Sequence, residues 1–90
     1  MTNAVANLRK LADFCEKHNL APLNFDVGVP QVHISNTDWP RLATGQRVAV
    51  ERGATWDYHT TTVDGVQVLA LLKAKPQRPE IEVIEDYQPA

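Results

Sequence analysis

The chain has 90 residues, a formal net charge of −2 at pH 7 and 43% apolar residues. This length predicts one domain with a modest core, and the apolar content is too high for a disordered chain. The slightly acidic balance argues against a broad electrostatic surface for nucleic acid or an anionic membrane, and no apolar run reaches the ~20 residues of a membrane span.

The N-terminal region predicts an amphipathic helix over residues 3–18. At 100° per residue, six small or apolar residues fall on one stripe, with charged residues opposite and Phe14 at the edge. Thr2 or Asn3 can cap the first turn, and Asn19 can take the left-handed conformation that ends a helix. The predicted inward stripe is Ala4, Val5, Leu8, Leu11, Ala12 and Cys15.

Because Cys15 is the single cysteine, the chain has no internal disulfide framework. With no signal peptide visible, we predict a cytoplasmic protein.

Residues 21–30 predict an irregular connector, because they contain two prolines and a glycine. Residues 31–35 then alternate between polar and apolar side chains. This pattern predicts a half-buried strand, with Val32 and Ile34 on one side and His33 on the other.

The segment after Asp38 is open to two interpretations. A helix with Pro40 in its first turn can run to Arg52 and end at Gly53. Alternatively, Gly45 ends a one-turn helix and residues 47–51 form a short strand. We favour the continuous helix because Gly53 ends it cleanly, although Gly45 costs it about 1 kcal/mol relative to alanine.

Residues 55–72 predict a β-hairpin that turns at Asp64-Gly65. A two-residue loop pairs Val63 with Val66 and mixes polar and apolar residues on both faces. A three-residue loop over 63–65, with a glycine bulge, separates them better and is our prediction. It places Trp56, Tyr58, Val66, Val68, Ala70 and Leu72 on one face, and Asp57, His59, Thr61, Gln67, Leu69 and Leu71 on the other.

Residues 76–90 are proline-rich and acidic, and form either an edge strand or a tail that a partner orders. We therefore predict one α/β domain over residues 1–75 followed by this tail. The fold class is α+β, in the order α-β-α-β-β, with a small antiparallel sheet of about three strands and the helices on one face. The acidic tail can supply a further strand.

The order of these elements resembles a loose set of small proteins from actinobacteria, their phages and their mobile elements. The likeness is carried by the strand Val32-His33-Ile34, the capped helix from Asp38, Gly53, the run Trp56-Asp57-Tyr58-His59 and the hairpin Val63-Asp64-Gly65-Val66-Gln67-Val68, within residues 3–75. Members of this set resemble uncharacterised accessory proteins. The resemblance therefore implies a compact α/β domain and a phage or prophage setting, and it brings no catalytic residues.

Asp57, His59 and Thr61 form the sharpest chemical pattern, because a carboxylate beside an imidazole can orient a general base. A sheet face with ordinary cross-strand polar pairs explains the same spacing, and we favour that explanation. His33 and His59 could hold a metal together with Asp57, but their spacing matches no standard zinc motif. We predict neither a metal nor a cofactor.

We therefore predict a non-enzymatic accessory protein that binds another protein or a second copy of itself, and neither nucleic acid nor a membrane. One alternative is a regulatory or nucleic-acid-binding protein that uses Arg41, Arg47 and Arg52 on the continuous second helix. Another is a small enzyme using Asp57 and His59. The predicted protein-binding residues are Leu69, Leu71, Ile81, Val83, Ile84, Arg41 and Arg52.

Overall fold

The computed structural model describes residues 3–75 and 78–89, which form two helices and one six-stranded sheet. The fold is mixed α+β, as predicted. In chain order the elements are α1 (Ala4–Lys17), β1 (Asn24–Asp26), β2 (Gln31–His33), α2 (Trp39–Ala43), β3 (Val48–Glu51), β4 (Trp56–Val63), β5 (Val66–Lys73) and β6 (Ile81–Ile84).

The strand order in the sheet is β1-β2-β5-β4-β3-β6. All neighbours are antiparallel except β2 and β5, which run parallel. The prediction of about three antiparallel strands was therefore wrong in number, and wrong in direction for the β2–β5 pair alone. The parallel pair arises because α2, β3 and β4 lie between β2 and β5 in the chain, and a parallel pair needs such a long crossover.

Both helices contribute to one core, against the same face of the sheet. From α1, Leu11, Phe14 and Cys15 are buried, whereas Val5 and Leu8 are 61% and 50% exposed. The predicted stripe was therefore misplaced by part of a turn. The inward position one turn before Leu11 belongs to Asn7, whose side chain donates to the Val27 carbonyl at 2.6 Å. Thr2 lies outside the described residues, and Asn3 caps α1 by accepting from the Ala6 backbone N–H.

The prediction of a continuous second helix was wrong, and the alternative prediction of a short helix followed by a strand is correct. Gly45 has a φ of +78°, a left-handed conformation that ends the helical segment. Val48 and Val50 then alternate into the core as part of β3. Pairing of β3 with both β4 and β6 outweighs the helical tendency of this segment, since each ladder satisfies backbone groups and buries valine.

The hairpin has a two-residue loop, so the predicted bulged loop was wrong. Val63 pairs directly with Val66, and Asp64 and Gly65 have φ angles of 52° and 76°. Two consecutive residues with positive φ match a type I′ turn, whose twist suits the two strands. Asp64 also pairs with Lys17 at 3.0 Å, which connects the turn to the end of α1.

In this register the two faces of the hairpin differ from the predicted ones. Asp57, His59 and Thr61 point into the core, together with Val66, Val68 and Ala70 of β5. Trp56 and Tyr58, predicted to share a face with Val66, Val68 and Ala70, are exposed on the opposite face.

The acidic segment joins the sheet as β6, antiparallel to β3. Beyond it, Tyr87 is buried in the core. Pro76, where the predicted tail begins, lies outside the described residues. Within residues 3–75 and 78–89, neither helix has the length and apolar character needed to cross a membrane.

Candidate functional sites

One face of the sheet carries no helix among the described residues, and we call it the open face. It displays alternate residues of each strand, because successive side chains point to opposite faces. Trp56, Tyr58 and Ile81 are 46%, 47% and 72% exposed there, and Leu69 and Leu71 are half-buried. The apolar residues of the open face are Ala49, Trp56, Tyr58, Leu69, Leu71, Ile81 and Val83.

Strand register gathers these residues at one end of the open face. One row across the strands is Leu71, Tyr58, Glu51 and Ile81. The next row is Leu69, Thr60, Ala49 and Val83. The end nearest the hairpin turn is polar, with Gln67 beside Thr62. The open face is therefore an apolar patch with a polar border, and not an evenly polar surface.

Most of the apolar residues that the sequence predicted for binding lie together on this face. They are Leu69, Leu71, Ile81 and Val83. Ile84 does not belong with them, because it is half-buried and packs against the core.

The two arginines predicted for binding do not form one surface. Arg41 lies on α2 and donates to the carbonyls of His18 and Asn19, while also pairing with Asp38 at 2.8 Å. Arg52 follows β3 and donates to the Arg78 carbonyl at 3.3 Å. The basic helix face behind the nucleic-acid alternative is not formed, because α2 ends at Ala43.

A buried ionic cluster lies on the other face of the sheet, around the fully buried Asp57. Arg78 Nε lies 3.0 Å from Asp57 Oδ2, but its N–H is not directed at that oxygen, so this contact is an ion pair and not a hydrogen bond. The backbone N–H groups of Gly53 and Lys75 donate to the two carboxylate oxygens at 3.3 and 3.2 Å. Arg78 also pairs with Glu82.

These partners keep Asp57 ionised despite its burial. Burial alone raises the pKa of the Asp57 carboxyl, but the Gly53 and Lys75 hydrogen bonds and the Arg78 charge outweigh it. The pKa therefore lies below its usual value of 3.8. The Asp57 carboxylate therefore accepts hydrogen bonds from Gly53 and Lys75 and has Arg78 as its counter-ion.

His59 is 3% exposed and lies next to Asp57, but the two side chains do not form a catalytic pair. His59 Nδ1 is 3.2 Å from the backbone carbonyl oxygen of Asp57, not from its carboxylate. Burial lowers the pKa of His59 from 6.5, and the nearby Arg78 charge acts in the same direction. His59 is therefore neutral at pH 7. The Asp57 carboxylate forms no hydrogen bond with the imidazole, so it does not orient His59 as a general base.

His33 is on the opposite face of the sheet from His59, so the two imidazoles do not converge. Among the described residues, no three His, Cys, Asp or Glu side chains are grouped so that they could hold a metal ion.

Beside the ionic cluster is a cavity of about 390 Å³ between α2, the far end of the hairpin and the residues after β6. Sequence reasoning missed this site, because Arg78 and Tyr87 carried no local signal and come to it only through β6. The cavity is lined by Trp39, Pro40, His59, Leu72, Lys73, Lys75, Arg78, Ile84, Tyr87, Gln88 and Pro89.

Compared with protein-family models, curated proteins and solved structures, the chain matches none of them. The candidate functional sites therefore rest on the structure of the chain alone, and they are the open face and this cavity.

Proposed function

We propose that this chain is a non-enzymatic accessory protein that acts through protein binding at the open face. The observation that carries the proposal is the apolar patch of Trp56, Tyr58, Leu71 and Ile81 on a sheet face that no described helix covers. Contiguous exposed apolar surface of this kind marks interaction sites. We further propose that it acts in the cytoplasm, in a phage or prophage setting.

The occupant that we propose for the open face is a second copy of the chain. Six strands about 4.8 Å apart, with four outward residues on each long strand, give a face of roughly 24 by 20 Å. A stable interface covers about 800 Å² per partner, more than the roughly 480 Å² plane of this face, so a dimer must also bury the rim around it. Glu51 lies within the row of Leu71, Tyr58 and Ile81, and Lys73 is the cross-strand partner of Trp56, so the patch carries one charge of each sign. A second copy presents the same apolar patch together with the complementary charges.

The free energy available is of the right size for a dimer. Covering the exposed half of Trp56 or Tyr58 removes about 100 Å² from water. At about 25 cal/mol per Å², each ring contributes about 2.5 kcal/mol, and a symmetric dimer buries four of them. Their sum of about 10 kcal/mol is comparable to the ~4–15 kcal/mol cost of association. Leu71, Ile81 and Val83 must supply the remainder, which predicts a moderate affinity.

The test is the double variant Tyr58→Lys/Leu71→Glu. These two residues are direct cross-strand partners, so the substituted pair can form an ion pair that supports the hairpin while removing the apolar patch. The matched control is Val5→Glu/Leu8→Lys on the exposed side of α1, which makes an equivalent change on another surface. Molar mass is measured by sedimentation velocity over a concentration series, and folding by circular dichroism.

We expect a dimer for the parent chain and for the control, and a folded monomer for the Tyr58→Lys/Leu71→Glu variant. A parent that stays monomeric throughout the series contradicts the second copy as occupant. A folded double variant that dimerises as the parent does contradicts the open face as the binding surface.

A further inference from the structure

The cavity on the core side of the sheet is lined by a buried hydrogen-bond donor that has no partner. Trp39 is fully buried and lines the cavity, yet its indole Nε1–H has no acceptor among the described residues. A buried donor without an acceptor is costly, so such a group points to a missing hydrogen-bond partner. A molecule that fills the cavity should therefore carry an atom that accepts a hydrogen bond.

His59 supplies the complementary atom. Its Nδ1 lies 3.2 Å from the Asp57 carbonyl oxygen, which can only accept, so the proton of the neutral ring is on Nδ1. Nε2 is then an acceptor, and it has no hydrogen bond within the described part of the chain. A donor on Trp39 and an acceptor on His59 suit a hydroxyl group, which can both accept and donate.

The charges around the cavity balance. Two positive charges, on Lys75 and Arg78, line it. Arg78 pairs with Asp57 and Glu82, which supply two negative charges. Lys73 also borders the cavity, but its place in β5 puts its side chain on the open face. A charged ligand would lose its hydration without gaining an unmatched counter-charge, so the cavity favours an uncharged ligand.

The remaining walls are aromatic and aliphatic. The Trp39 and Tyr87 rings both stand edge-on to His59, with centroids 5.8 and 6.0 Å away, and Leu72 and Ile84 complete the apolar wall. The volume of about 390 Å³ is many times the ~30 Å³ share of one water molecule, and it lies within the ~300–1,000 Å³ of small-molecule sites. These walls suit an aromatic ring.

We propose that this cavity binds a small uncharged aromatic molecule that carries a hydroxyl group. The hydroxyl oxygen accepts from Trp39 Nε1–H, and the hydroxyl proton is donated to His59 Nε2, while the ring packs against the apolar walls. This site is independent of the open face, because the two lie on opposite sides of the sheet.

The test uses phenol as the probe and the indole N–H signals of the two tryptophans as the readout. Trp39 and Trp56 are the two tryptophans of the chain, and Trp56→Phe assigns their signals in a ¹H–¹⁵N spectrum. We expect a saturable shift of the Trp39 signal with phenol and none of the Trp56 signal, because Trp56 lies on the open face.

Four related compounds separate the hydrogen bonds from the charge. Anisole accepts but cannot donate, so it should bind about ten-fold more weakly than phenol, because His59 Nε2 is then left without a donor. Fluorobenzene, which lacks the oxygen, should bind more weakly still. Benzoate and benzylammonium carry a negative and a positive charge on a similar ring, and both should bind more weakly than phenol.

One variant assigns the acceptor. His59→Phe keeps a ring at this position but removes Nε2, so the folded variant should bind phenol and anisole equally. His33→Phe makes the same substitution on the open face and should keep the preference for phenol. If circular dichroism shows that His59→Phe does not fold, the comparison of phenol with anisole on the parent chain decides.

Four results overturn the proposal. The first is a Trp39 signal that does not move in a saturable way with phenol, which indicates that the cavity holds water alone. The second is equal binding of phenol, anisole and fluorobenzene by the parent, which indicates nonspecific attraction of apolar rings. The third is binding of benzoate or benzylammonium as tight as that of phenol. The fourth is a folded His59→Phe variant that still prefers phenol to anisole as the parent does.

Discussion

Three segments of the chain meet at the carboxylate of Asp57. Gly53 comes from the loop before β4, Lys75 follows β5, and Arg78 precedes β6. A single buried charge therefore connects the two ends of the hairpin to the acidic segment. This geometry explains why a polar residue occupies an inward position of β4.

Asp57→Asn should destabilise the fold strongly. The amide keeps the size of the side chain but leaves the nearly buried Arg78 without its full counter-charge, and breaking a buried ion pair in this way costs about 3–5 kcal/mol. Urea unfolding at neutral pH measures the loss. Asp13→Asn, at an exposed position of α1, is the control and should change the free energy of unfolding by less than about 0.5 kcal/mol. Equal stability of the two variants would show that the Asp57 ion pair contributes nothing.

His59 should make the stability depend on pH in the weakly acidic range. Because burial lowers its pKa from 6.5, the unfolded chain takes up a proton below that pH while the folded chain does not. The free energy of unfolding therefore falls as the pH drops from 6.5 to the folded-state pKa, and this contribution is fully present above 6.5. Urea unfolding at about pH 7.5 and about pH 5.5 should show the fall in the parent and in His33→Gln, and a smaller one in His59→Gln. The same fall in His59→Gln would assign it to another group.

At the level of elements, the connection between β3 and β4 depends on glycine for space. A Cβ atom built on Gly53 would lie 2.0 Å from the Trp56 carbonyl oxygen, which belongs to the backbone. On Gly28 the nearest atom would be the Asp26 carboxylate at 3.3 Å, the end of a side chain that can move.

Gly53→Ala should therefore destabilise the chain by about 2–3 kcal/mol or more, because β3 and β4 must separate to admit the methyl group. Gly28→Ala is the matched control and should cost much less. Thermal unfolding followed by circular dichroism compares them. If Gly53→Ala melts at the same temperature as Gly28→Ala, the close approach at Trp56 does not constrain the chain.

Local sequence signals predicted the elements that have strong periodicity. They gave the existence and ends of α1, the alternation in β2 and the position of the hairpin turn. They did not give β3, because Gly45 and Gly53 are both good helix ends and only pairing with β4 and β6 decides between them. The predicted register of the hairpin was wrong for a similar reason. An inward Asp57 is acceptable only because Arg78, distant in sequence, neutralises it.

For the whole molecule, Leu69, Leu71, Ile81 and Val83, which the sequence predicted for binding, come together on the sheet face that no described helix covers. Leu69 and Leu71 lie on the uncovered face, but beside Tyr58 and not with Asp57, His59 and Thr61 as the predicted register required. Trp56 and Tyr58 were predicted on the face of Val66, Val68 and Ala70, and the two-residue turn moves them to the face of Leu69 and Leu71. The cavity could not be predicted, because its walls come from α2, the hairpin and the segment after β6.

The segment after Lys75 should be required for folding of the whole molecule. Shortening the chain after Lys75 removes Arg78 from the buried Asp57, β6 from β3 and Tyr87 from the core. The buried charge alone costs about 3–5 kcal/mol when its partner is lost, and the whole free energy of unfolding of such a domain is about 5–15 kcal/mol. We expect no cooperative thermal transition by circular dichroism. The control chain is shortened after Tyr87, which keeps all three contacts, and should melt as the parent does. A chain ending at Lys75 that melts at the parent's temperature would show that residues 3–75 fold without this segment.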